Sequence, residues 1–257
     1  MAKWFAANGI TAAVLKYRMP NGHPEVPLED VEQALRIMMG LEAGATGFTA
    51  GKVGIVGSSA GGHLAASAST LAETKPAFSI LFYPVITAEK GKGHQGSFNA
   101  LLGGSRNAES DTWYSLQNRV TAQTPPTLLL LSDDDKVVPP VNSTLYYNAL
   151  KEHGVKASMH IYPTGGHGWG IRDHFEHKEQ WQQATLDWLK ELNDDRNTAS
   201  VLLRQPGLPG CVDVGIRPAT SRKSAGRELA EAAVQAAVQE FGQQVRSRRE
   251  SDWPAGQ

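Results

Sequence analysis

Short apolar segments alternate with helical patterns through the first two-thirds of the chain. The segments predict strands, and the intervening patterns, with apolar residues three and four apart, predict helices. Strands that are apolar throughout are buried on both faces, as in a parallel sheet between helices, so the sequence predicts a three-layer α/β fold with a mostly parallel sheet. The predicted strands are residues 10–17, 52–57, 78–83, 127–131 and 157–162, and the predicted helices are residues 28–39, 60–71, 145–153 and 176–192.

The alternating pattern ends near residue 193. Residues 194–223 contain two Pro-Gly pairs and no apolar periodicity. Residues 224–249 carry one stripe of valines and a phenylalanine at helical spacing, which predicts an amphipathic helix. We therefore expect a main domain over residues 1–195 and a C-terminal tail over residues 196–257. The tail is expected either to be partly disordered or to support self-association through its apolar stripe.

The composition argues against several classes of protein. Lys and Arg number 25 and Asp and Glu number 26, a net charge of −1, whereas a nucleic-acid-binding protein usually carries a basic surplus. No apolar run is long enough to cross a bilayer. The single cysteine, Cys211, excludes an intrachain disulfide and a thiolate zinc site. Polar residues interrupt the apolar N-terminus, so no signal peptide is predicted and a cytoplasmic location is the default expectation.

The residues Gly57-Ser58-Ser59-Ala60-Gly61 form a G-x-S-x-G motif between a predicted strand and a predicted helix. A serine at such a turn has a strained backbone that exposes its hydroxyl at the carboxyl edge of the sheet. The flanking glycines lack the Cβ atoms that would clash across the turn. The Ala60 N–H, at the positive end of the helix, is expected to bind the oxyanion of a tetrahedral intermediate. We predict that Ser59 is a nucleophile; the alternative is an ordinary Gly/Ser turn.

A serine hydroxyl needs a general base, and that base needs an orienting carboxylate. With this motif, the acid and then the histidine follow later strands in the sequence. Asp133, Asp134 and Asp135 follow the strand at 127–131, and His167 follows the strand at 157–162 between two glycines. We predict Asp135 as the acid, because it stands directly before the Lys-Val-Val-Pro turn, with Asp134 second and Asp133 last. The alternative role for Asp133 and Asp134 is to cap backbone N–H groups of the loop.

The remaining histidines are assigned to roles outside catalysis. His160 lies within a predicted strand, and His63 lies one turn into the helix after Ser59, where it could pack near the site. His153, His174 and His177 fit solvated positions at helix ends. No H-E-x-x-H or similar ligand spacing is present, so we predict neither a metal nor a cofactor.

These motifs occur in an order that resembles the α/β-hydrolase superfamily. Within it, the chain is similar to bacterial carbohydrate esterases of the acetyl-xylan and feruloyl types. The resemblance implies an α/β-hydrolase fold, a Ser59–Asp135–His167 triad and hydrolysis of short-chain acyl esters, with acetyl favoured. It covers roughly residues 1–193 and rests on residues 15–24, 27–31, 53–63, 82–86, 137–143 and 160–170.

The chain differs from this family in two respects. Family members carry, before the strand predicted at residues 10–17, an earlier strand that ends in a Gly-rich loop whose N–H is a second oxyanion donor. No such loop precedes that strand in the sequence, so the fold is expected to be N-terminally abbreviated, with a second donor that the sequence does not identify. The segment from residue 196 onward has no recognisable counterpart in the family.

The sequence therefore predicts a serine carboxylic ester hydrolase whose partner is a small-molecule or carbohydrate ester. A serine peptidase of the same fold is one alternative, although peptidases of that type usually carry a large N-terminal propeller that this length cannot hold. A catalytically impaired fragment or binding scaffold is another, because one oxyanion donor is unaccounted for. Losing such a donor costs on the order of 10²–10³ in rate.

Overall fold

The protein was analysed as a computed structural model that describes residues 1–41 and 52–202, with only the backbone described from residue 195 onward. Leu15–Arg196 forms one compact unit, and Met1–Val14 does not belong to that unit. In the described parts of the chain, no helix is long and apolar enough to span a membrane. The predicted tail helix at 224–249 lies outside the described residues, and the predicted domain boundary at 195 stays a prediction.

Four parallel strands in the order β1-β2-β3-β4 form the central sheet. Their bounds are Ile55–Ser58, Ser79–Phe82, Thr127–Ser132 and Ala157–Tyr162. The two central strands, β2 and β3, are buried along their whole length, as their uninterrupted apolar sequences predict. Because all four strands run in parallel, their carboxyl ends lie at one edge of the sheet, where residues 59, 83, 133–135 and 163 follow them.

Helices cover both faces of this sheet. On one face, Leu81 and Leu129 pack in one apolar cluster with Ala65 of α3 and Leu150 of α6. On the other face, the Phe82 ring contacts Trp181 of α7 with ring centroids 5.1 Å apart. The predicted three-layer α/β fold is therefore confirmed. The α-helices of the described residues are α1 (Ala2–Ala7), α2 (Glu25–Met38), α3 (Ala60–Thr70), α4 (Gln95–Leu102), α5 (Ala108–Trp113), α6 (Val141–Glu152) and α7 (Lys178–Leu202).

The strand predicted at residues 10–17 is wrong, because these residues form no strand. A strand must hydrogen-bond to a neighbouring strand. Among the described strands, β1 pairs with β2 alone. Val14 is 77% exposed, which does not fit a buried strand. Leu15 instead packs its side chain against an apolar cluster that includes Val31 of α2 and Ala68 of α3.

The start of α6 also differs from expectation. The predicted helix begins at residue 145, but α6 begins at Val141 after Pro140, without a side-chain cap. The Asn142 side chain lies in the core and accepts hydrogen bonds from the N–H groups of Ile86 and Thr87 at 3.1 and 3.2 Å. Asn142 therefore ties α6 to the chain that leaves β2, a long-range role that its local sequence does not reveal.

Candidate active site

Ser59 sits at a sharp turn between the end of β1 and the start of α3. Its backbone angles are φ 55° and ψ −122°, in the left-handed region that a residue with a side chain adopts only under strain. Its N–H donates to the Phe82 carbonyl at 3.0 Å, and its carbonyl accepts from the N–H groups of His63 and Val85 at 3.1 Å. The neighbouring strand and helix thus hold the strained conformation in place.

Of the two motif glycines, Gly57 is required by close packing across this turn, whereas Gly61 is not, because a Cβ atom there would lie 3.9 Å from the Tyr17 hydroxyl with nothing nearer. A Cβ atom on Gly57 would lie 2.2 Å from the carbonyl oxygen of Gly61. Gly62, the residue after the motif, is also closely packed, because a Cβ atom there would lie 2.8 Å from Pro84. Real Cβ atoms essentially never approach backbone so closely, so the steric reason for small residues at these positions is present in the structure.

The structure brings Ser59, His167 and Asp135 into one hydrogen-bonded chain. The Nε2 atom of His167 lies 2.8 Å from the Ser59 Oγ atom. On the other side of the ring, His167 Nδ1 lies 2.6 Å from Asp135 Oδ2. The Asp135 carboxylate can only accept, so Nδ1 carries a proton and Nε2 is left to accept the hydroxyl proton of Ser59. This is the arrangement of a nucleophile, a general base and an orienting acid.

Asp135 is held in position by its own backbone turn. Its second oxygen, Oδ1, accepts hydrogen bonds from the N–H groups of Val137 and Val138, each at 2.9 Å. The side chain is 1% exposed, so the carboxylate is removed from water and faces the imidazole. A buried, fully hydrogen-bonded carboxylate holds the imidazole in one orientation and stabilises its charged form.

The neighbouring aspartates occupy other positions. Asp134 Oδ1 accepts from the Gly166 N–H at 2.7 Å and therefore caps the loop that carries His167. Asp133 has an exposed side chain, and its N–H donates to the Tyr162 carbonyl at 2.7 Å. Of the three candidates, only Asp135 contacts the histidine. Asp134 takes the capping role that was its alternative.

The loop that carries His167 depends on glycines and on one buried brace. Gly165, Gly166 and Gly168 have φ angles of 135°, 59° and 81°, which residues with a Cβ rarely adopt. The brace is Ser132, which donates to the Thr164 carbonyl at 3.2 Å and accepts from the Trp169 indole N–H at 2.8 Å. The sequence did not predict this supporting role of Ser132, although the tryptophan next to the His-Gly pair was a visible signal.

Ala60 is the first residue of α3, so its N–H has no acceptor within the helix. It follows the Ser59 turn directly and lies at the positive end of the helix dipole. The position therefore matches the expected oxyanion donor.

A cavity of about 260 Å³ opens beside Ala60. Its wall is mainly apolar and includes Tyr17, Leu28, His63, Phe98 and Tyr114. Burial lowers the pKa of His63 to about 4, and its Nε2 donates to the Tyr114 carbonyl at 2.9 Å. The ring is therefore neutral at physiological pH and packs in the wall of the cavity.

Comparison with known proteins places the chain in a family. The sequence model of the prolyl oligopeptidase family matches residues 26–195. The chain belongs to the prolyl oligopeptidase family. This match includes the three residues of the hydrogen-bonded chain and all four strands. Membership is consistent with the strand–turn–helix at Ser59 and the later positions of the acid and the histidine.

Two curated relatives of this chain are named as an esterase and as a xylanase. An acetylxylan esterase of Xylanibacter ruminicola is 39% identical over 195 residues, which are 74% of this chain and 40% of the relative. Endo-1,4-beta-xylanase B of Butyrivibrio fibrisolvens is 32% identical over 181 residues, 64% of this chain and 28% of the relative. The chain thus spans less than half the length of these two curated relatives.

A solved structure confirms the fold. The acetyl ester-xyloside bifunctional hydrolase from Caldicellulosiruptor lactoaceticus is 33% identical and aligns with a TM-score of 0.68 over 75% of each chain. The predicted α/β-hydrolase superfamily, with carbohydrate esterases among its relatives, is therefore confirmed.

Proposed function

We propose that the chain is a serine carboxylic ester hydrolase that removes short acyl groups, acetyl above all, from carbohydrates. The observation that carries the proposal is the continuous hydrogen-bonded chain from Asp135 through His167 to the strained Ser59, with bonds of 2.6 and 2.8 Å. Such a chain activates a hydroxyl for attack on a carbonyl carbon. The acetyl and carbohydrate specificity is supported by the names of two relatives, an acetylxylan esterase and an acetyl ester-xyloside bifunctional hydrolase.

In the proposed reaction, the Ser59 oxygen attacks the ester carbonyl carbon and its proton moves to His167 Nε2. The carbonyl oxygen becomes an oxyanion, which the Ala60 N–H stabilises. The imidazolium is stabilised by Asp135 and gives its proton to the leaving alcohol oxygen, so that the sugar departs and an acyl-serine ester remains. Water, deprotonated by His167, then attacks this ester and releases the carboxylic acid and free Ser59.

The proposed reaction also implies on which side of Ser59 each part of the substrate lies. The leaving alcohol must lie near His167, since it takes the proton from Nε2, while the oxyanion points to Ala60. The acyl group therefore points away from His167, on the side of the cavity lined by Ala60. An apolar wall there suits an acyl group better than a sugar, which is rich in hydroxyl groups.

The test compares ester and peptide turnover by the wild-type protein and Ser59→Ala. We expect hydrolysis of p-nitrophenyl acetate and acetate release from acetylated xylan, with a loss of about 1,000-fold or more in Ser59→Ala. Ser158→Ala, on the edge strand β4, is the matched control and should leave turnover unchanged. Persisting activity in Ser59→Ala would exclude the nucleophile.

The same assay separates the alternatives. Faster cleavage of a prolyl p-nitroanilide peptide than of the ester would favour a peptidase, the activity for which the family is named. Turnover of neither substrate by the folded wild-type protein would favour the catalytically impaired alternative.

A further inference from the structure

Tyr83 is the first residue after β2 and has φ 34°, a left-handed value that is unusual for a bulky side chain. The strain is greater because Pro84 follows, and a residue before proline is restricted to extended conformations. The Tyr83 N–H nevertheless donates to the Leu130 carbonyl of β3 at 2.8 Å. A strained residue persists only where its surroundings over-determine it, and such residues cluster at functional sites.

The strained backbone directs the Tyr83 ring against the triad histidine. The Tyr83 and His167 ring centroids lie 4.7 Å apart with their planes at 60°. The ring also contacts Trp169 at 5.0 Å between centroids, and the residue is 4% exposed. Tyr83 thus fills the space between the imidazole and the aromatic core under the loop.

The Tyr83 hydroxyl lies beside the two segments that carry the reacting side chains. Its neighbours are Gly170, in the His167 loop, and Ser58, which precedes Ser59. Gly170 has φ 44°, and a Cβ there would lie 3.4 Å from the tyrosine oxygen. Burial raises the pKa of Tyr83, so the hydroxyl stays neutral beside the triad.

No helix or strand holds His167, because its loop is built from glycines with positive φ. The imidazole must keep two hydrogen bonds at once, to Ser59 and to Asp135, and a small ring rotation breaks both. We propose that Tyr83 is a positioning residue that holds the His167 imidazole in line between Ser59 and Asp135. The proposal rests on the proposed function for its kinetic readout.

The test uses Tyr83→Met, which keeps much of the volume but removes the flat ring, and Tyr83→Phe, which keeps the ring. We expect Tyr83→Met to lower kcat about 10- to 100-fold with KM within about threefold, because a misplaced base slows the chemical step. Tyr83→Phe should retain kcat within about threefold. Ser58→Ala, at an exposed position beside the Tyr83 hydroxyl, leaves the ring in place and should likewise retain kcat within about threefold.

Tyr162→Met is the matched control. Its ring belongs to the same aromatic core and contacts Trp169, Phe175 and His177. It should lower stability in the way that Tyr83→Met does while leaving kcat unchanged. Equal losses of kcat in the two Met variants, or a loss in Tyr83→Met that lies in KM alone, would overturn the positioning role.

A spectroscopic measurement keeps the role of Tyr83 separate from the proposed function. The His167 Nδ1 proton, shared with Asp135, should give a far-downfield proton NMR signal in the wild type and in Tyr83→Phe. In Tyr83→Met the signal should broaden or vanish as the imidazole is freed. If Tyr83→Met does not fold, Tyr83→Leu, which also removes the flat ring, is measured in its place and should show the same loss of the signal. A sharp, unchanged signal in the folded variants would refute the positioning role even if no ester is turned over.

Discussion

The neutral, buried His63 makes the stability of the protein depend on pH. Burial among uncharged groups lowers its pKa to about 4, with the Phe98 ring at 5.3 Å and the Tyr114 carbonyl at 2.9 Å. In the unfolded chain the pKa returns to about 6.5. Because the folded value is the lower one, the unfolded state binds the proton more readily between these pH values. Stability is therefore full above about pH 6.5 and is lost as the pH falls towards 4.

The linkage relation converts this shift into a free energy. Between pH 7.5 and pH 4.5, His63 alone should reduce the free energy of unfolding by about 2–3 kcal/mol. Other titrating groups add their own terms, but these are common to the wild type and to a His63→Gln variant. The difference between the two proteins in their pH dependence therefore isolates His63.

Urea unfolding at pH 7.5 and pH 4.5 measures this difference. We expect the wild type to lose about 2–3 kcal/mol more than His63→Gln over this interval, whatever the absolute cost of the substitution. His174→Gln, at an exposed position, controls for the loss of one histidine. Parallel pH dependences for the wild type and His63→Gln would show that His63 is not held neutral by burial, and the reasoning would be refuted.

Three further predictions concern the acid, the cavity and the tail. Asp135→Asn should lower kcat about 10⁴-fold, whereas Asp134→Asn, which changes the residue that caps the His167 loop, should lower kcat far less. Steady-state kinetics of both variants test this, and a larger loss in Asp134→Asn would make Asp134 the acid. An apolar cavity of about 150 Å³ holds benzene, so the cavity of about 260 Å³ beside Ala60 should accept the acyl group of p-nitrophenyl butyrate as readily as that of the acetate. A steep fall in kcat/KM from the acetate to the butyrate would contradict the placement of the acyl group in this cavity. A chain that ends at Leu202 should keep the kcat/KM of the full chain within about twofold, because the triad is complete at His167; inactivity or aggregation of that shorter chain would place the tail within the core.

The sequence predicted those elements whose signals are local. Strands β1 to β4 overlap the expected apolar segments, with β1 and β3 each ending one residue later than predicted, and α3 follows the serine as expected. The segment at residues 10–17 has the same apolar character but forms no strand, because pairing depends on a neighbour that a local pattern does not contain. The predicted start of α6 was wrong for a similar reason, because the Asn142 side chain binds the backbone of a distant loop.

For the site, the order and context of the motifs were sufficient to select the residues that the structure brings together. Ser59, Asp135 and His167 each follow a strand of one parallel sheet, and their side chains therefore meet at one edge. The supporting residues were not predictable in the same way. Tyr83 matters through a positive φ angle and a ring contact with a residue 84 positions away, and neither leaves a mark in the local sequence.

The most direct test of the account is to identify the residue that an organophosphonate ester modifies. Such a reagent phosphonylates an activated serine and mimics the tetrahedral intermediate. Mass spectrometry of the digested protein should show one adduct, on Ser59, formed in step with the loss of ester hydrolysis and absent from His167→Ala. An adduct on another residue, or full inhibition with Ser59 unmodified, would contradict the claim that Ser59 is activated by His167.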